Sequence, residues 1–154
     1  MTGQEHRAGS RIVAGTDGSP SSVMALRWAI RQAELTGATV DAVIAWHYPA
    51  PTGGYGFAPT GMATSFDFKK NAEKVVAEAI SAASGPDSHV PVRALVVEGN
   101  AARVLIDASD GADLIVVGSR GHGGFTEALL GSVGQHCVHH ARCPVVLIRG
   151  QEHD

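Results

Sequence analysis

Apolar residues along the chain follow two patterns, short runs that are apolar throughout and longer stretches with an apolar residue at every third or fourth position. The runs are typical of parallel strands covered on both faces, and the wider spacing is typical of helices packed on a sheet. The runs predict five strands, at 11–15, 39–46, 90–97, 113–118 and 144–149. The spaced stretches predict helices at 20–36, at 66–84 and from Asn100 to 111, with a fourth helix between the last two strands.

Residues beside the predicted helices match known capping preferences. Ser19 precedes the first helix and can accept a hydrogen bond from a backbone N–H group of its first turn, while Pro20 fits the first helical position. Gly37 follows the last turn and can adopt the left-handed conformation that ends a helix. Asn100 is the expected cap of the third helix. These residues predict where helices begin and end.

Five strands that alternate with helices predict the α/β class, in which helices cover both faces of a parallel sheet and right-handed crossovers join its strands. We expect one domain over residues 11–150, since 154 residues suffice for a single core and no internal repeat is present. Residues 1–10 are polar and are predicted to form a disordered tail. If strands 1 to 3 wind outward and strand 4 returns beside strand 1, the strand order is 3-2-1-4-5.

Composition and charge exclude several function classes. Charged residues make up 18% of the chain and the net charge is −3, without a block of lysine or arginine, so we expect no nucleic-acid or membrane-surface partner. The two cysteines, Cys137 and Cys143, are too few for a disulfide framework and favour a reducing compartment. The first ten residues lack the apolar core of a signal peptide, and no apolar run approaches membrane-spanning length. We therefore expect a cytoplasmic protein.

Two unusual turns are predicted to meet at one edge of the sheet. In an open doubly wound sheet the ligand lies beyond the carboxyl ends of the strands, where the strand order reverses, and here that point lies between strands 1 and 4. Those ends carry Gly15-Thr16-Asp17 and Gly118-Ser119-Arg120-Gly121. Glycine at 118 and 121 lets backbone N–H groups approach a ligand, and a helix that begins near Ser132 adds unpaired N–H groups. This environment favours an anion, with phosphate as the best candidate.

Asp17 is the acidic member of this predicted site. Its carboxylate would repel phosphate at close range, so its expected role is to accept hydrogen bonds from sugar hydroxyls or to bind a divalent cation that phosphate shares. Together with the phosphate-binding turn, Asp17 indicates a nucleotide. The alternative is that Asp17 only stabilises a turn or caps the first helix.

Three familiar classes of enzyme lack their defining residues in this sequence. A P-loop requires G-x-x-x-x-G-K-[ST], and no lysine lies in or near the glycine-rich segment. The dinucleotide fingerprint would follow strand 1, which instead ends in GTDGSP, and no G-x-S-x-G elbow occurs in the chain. The sequence therefore does not favour a kinase-like enzyme, a dehydrogenase or a hydrolase.

The glycine-rich segment resembles the nucleotide-binding motif of the universal stress protein family, G-x2-G-x9-G-[ST]. In this chain it reads Gly118-x2-Gly121-x9-Gly131-Ser132, followed by Val133. The resemblance extends over residues 11–149, through the opening IVAGTDGSPSS, the turn VVGSRGHGG and the ending LLGSVGQHCVHHARCPVVLIR. It implies a Rossmann-like fold similar to that of the adenine nucleotide alpha hydrolases. It also implies that the chain binds ATP, with Mg²⁺ accompanying the phosphates.

The resemblance gives a role to each part of the site. Asp17 would contact the ribose, backbone near Gly15 and at the end of strand 2 would contact the adenine, and the glycine motif would hold the phosphates and ribose. The expected binding residues are Gly15, Thr16, Asp17, Ala45, Trp46, Val117, Gly118, Arg120, Gly121, His122, Gly131, Ser132 and Val133. The alternative is that Gly118 merely ends a strand, that Gly131 relieves packing and that Trp46 belongs to the core.

The sequence offers no positioned general base or nucleophile, so we expect no catalytic residues and at most slow ATP hydrolysis. The resemblance then implies a regulator or switch of the stress response that acts through its nucleotide-bound state. Two alternatives stay open. One is a nucleotidyl-transferring enzyme of the same architecture. The other is a partner-binding module that binds cyclic AMP, another adenine nucleotide or none.

The last strand, from Pro144 to Arg149, is expected at the edge of the sheet. A bare apolar edge invites uncontrolled pairing, and a homodimer formed through this strand would cover it. The family resemblance implies the same arrangement, since its members commonly dimerise through the last strand.

Other polar segments carry weaker signals. His136 and His140 lie four residues apart on the fourth helix, but Cys137 and His139 point elsewhere, so attraction to the negative end of the helix dipole is favoured over a closed zinc site. Lysine occurs only at 69, 70 and 74, on a face of the second predicted helix that we expect to be solvated. Residues 47–64 are predicted to form a long functional or mobile loop.

Overall fold

The computed structural model describes residues 9–47, 65–119 and 132–149. Within these ranges the chain forms five strands and four helices. In chain order they are β1 (Arg11–Gly15), α1 (Pro20–Thr36), β2 (Thr39–Trp46), α2 (Ser65–Ala83), β3 (Val92–Glu98), α3 (Ala101–Ala108), β4 (Leu114–Gly118), α4 (Ser132–His140) and β5 (Val145–Ile148). The predicted elements are therefore confirmed in type and order.

All five strands pair in parallel, and their order is β3-β2-β1-β4-β5, as predicted. Two boundaries differ from the prediction by more than one residue. Strand β3 begins at Val92 instead of 90, after Pro91, which has no N–H group to donate to a ladder. Helix α3 ends at Ala108 instead of 111, because Ser109 and Ala112 close a turn with a 3.0 Å hydrogen bond from Ala112 N to Ser109 O.

The predicted caps are confirmed. The Ser19 hydroxyl accepts a hydrogen bond from Ser22 N at 3.2 Å, and Pro20 is the first residue of α1. Gly37 ends α1 with a φ of 81°, and its N–H donates to Ala33 O at 2.8 Å. Hydrogen bonds between residues close in sequence thus set both ends of α1, as is usual for helix caps.

The core lies in two layers, one on each face of the sheet. Helices α1 and α2 cover one face, where the buried residues include Ile12, Ala14, Leu26, Ile30, Val40, Val76 and Val116. Helices α3 and α4 cover the other face, where the buried residues include Val13, Val43, Val104, Leu105, Ile115, Val117 and Cys137. Burial on both faces explains why the central strands read as nearly continuous apolar runs.

Asp41 is a buried carboxylate inside the otherwise apolar β2, and its environment was not predicted. Its side chain is 3% exposed and lies beside Arg93 of β3 and Arg11 of β1, with N–O distances of 3.1 and 3.4 Å. Hydrogen bonding and charge attraction from Asp41 raise the pKa of Arg93. Arg11 also donates to Ala108 O at 3.2 Å and to Asp110 O at 2.9 Å. This ionic cluster joins three strands near their amino ends, away from the predicted ligand site.

The outer surface of α2 is charged, as the sequence predicted. Lys69, Lys70 and Lys74 are exposed, and the Lys70 ammonium lies 5.5 Å from the centre of the Phe66 ring. In the described ranges, no helix has both the length and the apolar content needed to cross a membrane.

Candidate nucleotide site

The carboxyl ends of β1 and β4 lie side by side, at the predicted point of strand-order reversal. The two strands pair in register from Ile12 with Leu114 to Ala14 with Val116. Beyond these pairs, the chain after β1 leads to α1 on one face of the sheet, and the chain after β4 leads to α4 on the other face. Because α1 and α4 lie on opposite faces, the carboxyl ends of β1 and β4 are at the position where doubly wound sheets form a ligand-binding crevice.

The turn after β1 is held by a small network of hydroxyl and carboxylate hydrogen bonds. Asp17 Oδ1 accepts from Ser19 N at 2.9 Å, and Asp17 N donates to Ser22 Oγ at 3.2 Å. The hydroxyls of Thr16 and Ser22 are 3.2 Å apart. Thr16 is buried, whereas Asp17 is exposed. Asp17 therefore does stabilise the turn, as the alternative reading held, and it is also accessible at the mouth of the crevice.

Gly118, at the end of β4, lies against Ser21 in the first turn of α1. A Cβ atom at position 118 would collide with Ser21 Oγ and would lie 3.0 Å from both the carbonyl carbon and the oxygen of Ser21. The Ser21 hydroxyl oxygen is itself buried and has no hydrogen-bond partner among the described residues. Position 118 thus requires glycine for packing, and an unsatisfied hydroxyl lies against the same spot.

Two predicted site residues, Gly15 and Val117, face the core instead of the crevice. A Cβ atom at Gly15 would lie 2.7 Å from Leu105 Cδ1 and 3.2 Å from Val117 Cγ1. Val117 is 4% exposed and belongs to the cluster beneath α3 and α4. The core occupies the side-chain positions of these two residues, so only their backbone atoms are left for contact with a ligand. The backbone contact expected at Gly15 stays a prediction.

The end of β2 extends beyond the end of β1. The last pair between these strands joins Gly15 to Val43, so Ala45 and Trp46 continue past the crevice on one side. Both residues are partly buried, and Trp46 packs against the core beneath α1 and α2. The Trp46 carbonyl accepts a hydrogen bond from Gly99 N at 2.8 Å. The indole therefore has a packing role, as the alternative for Trp46 anticipated.

Helix α4 begins at Ser132, which is exposed, and Val133 beside it is partly buried against the core. A Cβ atom at Gly134 would lie 3.4 Å from Leu147 Cδ2 and 3.9 Å from the Gly118 carbonyl oxygen. The first turn of α4 therefore lies next to the end of β4. The first-turn N–H groups, which have no acceptor within the helix itself, and the positive end of the helix dipole therefore lie beside the end of β4.

Four of the predicted binding residues, Arg120, Gly121, His122 and Gly131, lie outside the described residues, as do residues 48–64 of the predicted long loop. Among the described residues, Thr16, Asp17, Gly118 and Ser132 lie around the edge of the crevice, which we call the rim. Ser21 was missed from the sequence, and its place in the helix-opening run SPSS was the only available signal.

No set of three or more His, Cys, Asp or Glu side chains is placed to bind a metal ion within ranges 9–47, 65–119 and 132–149. Both cysteines are free thiols. The described part of the rim presents backbone N–H groups, hydroxyls and the Asp17 carboxylate, a set of groups that suits a polar anion with attached hydroxyls.

Sequence comparison gives a match to the family described as the universal stress protein family, over residues 10–149. A universal stress protein of Mycolicibacterium smegmatis is 33% identical over 92% of this chain and 48% of its own length. A universal stress protein of Mycobacterium tuberculosis is 36% identical over 90% of this chain and 45% of its own length. The chain therefore spans about half the length of these curated relatives.

Solved structures of universal stress proteins share this fold. The protein UspA from Lactobacillus plantarum gives a TM-score of 0.68 at 20% identity, covering 91% of this chain and 97% of its own. A universal stress protein in complex with cAMP gives 0.58 at 24% identity, covering 91% and 96%. One from Archaeoglobus fulgidus in complex with dAMP gives 0.54 at 20% identity, covering 90% and 97%.

Proposed function

Because the chain belongs to the universal stress protein family, we propose that it binds an adenine nucleotide in the crevice between β1 and β4, with ATP and Mg²⁺ as the preferred ligand. The observation that carries this proposal is the meeting of Gly118, the unsatisfied Ser21 hydroxyl and the first turn of α4 at one strand end. Two structural neighbours are complexes with cAMP and dAMP, which supports an adenylate as the ligand class.

The described residues suit the separate parts of a nucleotide. The exposed Asp17 carboxylate can accept hydrogen bonds from ribose hydroxyls or bind Mg²⁺, and the exposed Ser132 can donate its hydroxyl and N–H to phosphate. Close packing at Gly118 brings backbone to the crevice. The sequence motif adds Arg120, Gly121, His122 and Gly131 to the phosphate-binding part of the proposal.

The proposed role is regulation through the bound state, with hydrolysis slow at most. Asp17 is the carboxylate at the rim, and one of its oxygens already accepts a hydrogen bond from Ser19 N. A general base needs to reach the attacking water, and engagement in the turn restrains this carboxylate. The complex of a neighbour with cAMP makes cyclic AMP the competing ligand to test.

The chain is further proposed to form a homodimer through β5. Strand β5 is an edge of the sheet, its four residues VVLI are all partly buried, and none of them is charged. The opposite edge, β3, carries the exposed charges Arg93 and Glu98, which discourage strand pairing. The cytoplasm is the proposed location, supported by two thiols that are both free.

The proposal is tested by identifying what the protein binds. The freshly purified full chain is denatured and the released small molecules are analysed by mass spectrometry, followed by calorimetric titration of stripped protein with ATP plus Mg²⁺ and, separately, cyclic AMP. Recovery of ATP, or tighter binding of ATP than of cyclic AMP, supports the proposal. Tighter binding of cyclic AMP rejects ATP as the preferred ligand, and binding of neither nucleotide rejects the proposal as a whole.

A matched pair of variants locates the binding. Asp17→Asn keeps an oxygen that can accept the hydrogen bond from Ser19 N, so the turn is preserved while the charge is lost. Asp87→Asn changes an exposed aspartate outside the site and serves as the control. Weaker ATP binding only in Asp17→Asn supports binding in the crevice, and equal binding by both variants contradicts it.

A further inference from the structure

The exposed side of α4 carries three histidines, His136, His139 and His140. The rings of His136 and His140 have centres 6.0 Å apart and planes inclined by 37°. These two residues are four positions apart, so they lie on the same face, one helical turn from each other. Histidine pairs with this spacing are suited to bind one metal ion from both rings.

His136 is held in an orientation that leaves one nitrogen available to a metal. Its Nδ1 atom is 3.1 Å from the carbonyl oxygen of Ser132. A carbonyl oxygen only accepts hydrogen bonds, so Nδ1 must carry the proton in this contact. In the neutral ring the Nε2 lone pair is then unprotonated. A metal-binding histidine is commonly fixed by a hydrogen bond from its other ring nitrogen to a backbone carbonyl.

The distance between the two rings also suits a shared ion. Two imidazoles bound to one tetrahedral zinc ion at Zn–N distances of about 2.0–2.1 Å have centres roughly 5 Å apart. The separation of 6.0 Å between the ring centres of His136 and His140 is close to this value, and both side chains are exposed, so core packing does not prevent the rings from adjusting to a shared ion. His136 is the central residue of α4 and His140 is its last, near the negative end of the helix dipole, which attracts cations.

We propose that His136 and His140 form an open site in which two histidines bind one divalent transition-metal ion, with zinc as the preferred ion. The remaining coordination positions are filled by water, which agrees with the lack of any group of three or more ligands in the described parts of the chain. This site differs from the closed zinc site that the sequence disfavoured, because it requires no contribution from Cys137, which is fully buried. Neither histidine is among the predicted nucleotide-binding residues, although His136 contacts the carbonyl oxygen of Ser132.

The test is a calorimetric titration of Zn²⁺ into the full chain, purified without a histidine tag and freed of metal with a chelator. We expect one zinc ion per chain, and affinity about tenfold weaker or worse in both His136→Gln and His140→Gln. His89→Gln, an exposed histidine on another segment, is the control and should leave the affinity unchanged. Cys143→Ser should also bind normally.

Two outcomes would overturn the site. If His136→Gln and His140→Gln bind zinc as tightly as the unchanged chain, the ion lies elsewhere. If Cys143→Ser removes binding, the ligand is the thiol and not the histidine pair. Circular dichroism of each variant establishes that α4 is still folded. In addition, ¹⁵N spectra of the histidine rings should show His136 protonated at Nδ1 before zinc is added. Protonation at Nε2 instead would contradict the proposal that His136 binds the metal through Nε2.

Discussion

Gly118 at the end of β4 lies directly against Ser21 in the first turn of α1, so close that position 118 has no room for a side chain. This contact joins the two segments that border the crevice. It gives the first glycine of the nucleotide-binding motif a packing role in addition to any role toward a ligand. The two roles are compatible, because close packing is what brings the backbone of β4 to the crevice.

Gly118→Ala is expected to destabilise the fold as well as weaken nucleotide binding. The added Cβ atom would lie 3.0 Å from Ser21 backbone atoms, and overpacking of this kind costs about 1–3 kcal/mol. Adding Ser21→Ala removes the hydroxyl but leaves the backbone contact, so it should restore part of the loss. Urea unfolding of both variants measures this effect. An unchanged free energy of unfolding in Gly118→Ala would show that the contact is not tight.

Asp17→Asn is expected to lower the affinity for ATP about tenfold, since a hydrogen bond to a charged group contributes about 1.5–3 kcal/mol. The amide oxygen can still accept from Ser19 N, so stability should fall less than in Asp17→Ala. Asp17→Ala also removes the acceptor of the 2.9 Å hydrogen bond from Ser19 N, so it should lower the melting temperature as well. Calorimetric titration and thermal unfolding of both variants separate the two effects. Full ATP affinity in Asp17→Asn would exclude the carboxylate charge from binding.

Asp41→Ala is expected to destabilise the protein by about 1.5–3 kcal/mol, because Arg93 and Arg11 both lose the hydrogen bonds that the buried Asp41 carboxylate accepts from them. The Arg93 side chain is 67% exposed, so Arg93→Ala should cost far less than the change at Asp41. Arg11→Ala should lie between them, since Arg11 is 27% exposed and also bonds two backbone carbonyls. Chemical unfolding measures this order, and a larger loss in Arg93→Ala than in Asp41→Ala would contradict it.

Cys137 is expected to resist alkylation much more than Cys143. Burial, with a smaller contribution from Cys143, raises the pKa of the Cys137 thiol from 9.0 to about 11. Cys143 is only partly buried, although its pKa is also raised, mainly by burial. Mass spectrometry after iodoacetamide treatment at mildly alkaline pH should find Cys143 modified first. Equal rates at both thiols would contradict the burial of Cys137.

The same raised pKa predicts a pH dependence of stability. The folded protein keeps the Cys137 proton more tightly than the unfolded chain, so the thiol's contribution is complete below pH 9.0 and is lost as pH rises toward 11. Urea unfolding across this interval should show a smaller loss of stability in Cys137→Ala than in the unchanged chain. Parallel curves for the two proteins would show that Cys137 does not cause the dependence.

Val145→Pro is expected to abolish the proposed dimer without unfolding the chain. Pro144 O and Ile148 O accept hydrogen bonds from β4, so in the alternating pattern the N–H of Val145 faces the outer edge of β5. Proline there removes a donor that only a second strand would use. Sedimentation equilibrium should find Val145→Pro monomeric and the packing control Val145→Ala dimeric. A dimeric Val145→Pro variant would place the interface away from the β5 edge.

Local features of the fold were predictable, whereas contacts between distant segments were not. Ser19, Pro20 and Gly37 act on neighbouring backbone, so their roles follow from residue type and position. Asp41 is different, because its partners Arg11 and Arg93 are 30 and 52 positions away in the chain. The sequence pattern showed only that Asp41 is a polar residue within the apolar run of β2. Its partners depend on strand order and register.

The candidate site also has features that the sequence predicts and contacts that it does not predict. Its location followed from the strand order and from the glycine motif, both readable in the sequence. The packing of Ser21 against Gly118 and of Trp46 against the core depends on how α1 and α2 lie on the sheet. A glycine or a tryptophan in a motif does not by itself distinguish ligand contact from packing. The structure gives both residues a packing role.

The central claim is that an adenine nucleotide binds between the carboxyl ends of β1 and β4. Its most direct test is a titration of ¹⁵N-labelled protein with ATP and Mg²⁺, followed through the backbone amide resonances. We predict the largest shifts at Thr16, Asp17, Ser119 and Ser132, and little change near Arg11 and Asp41 at the opposite end of the sheet. Absence of shifts at saturating ATP, or shifts centred on the amino ends of the strands, would contradict the claim.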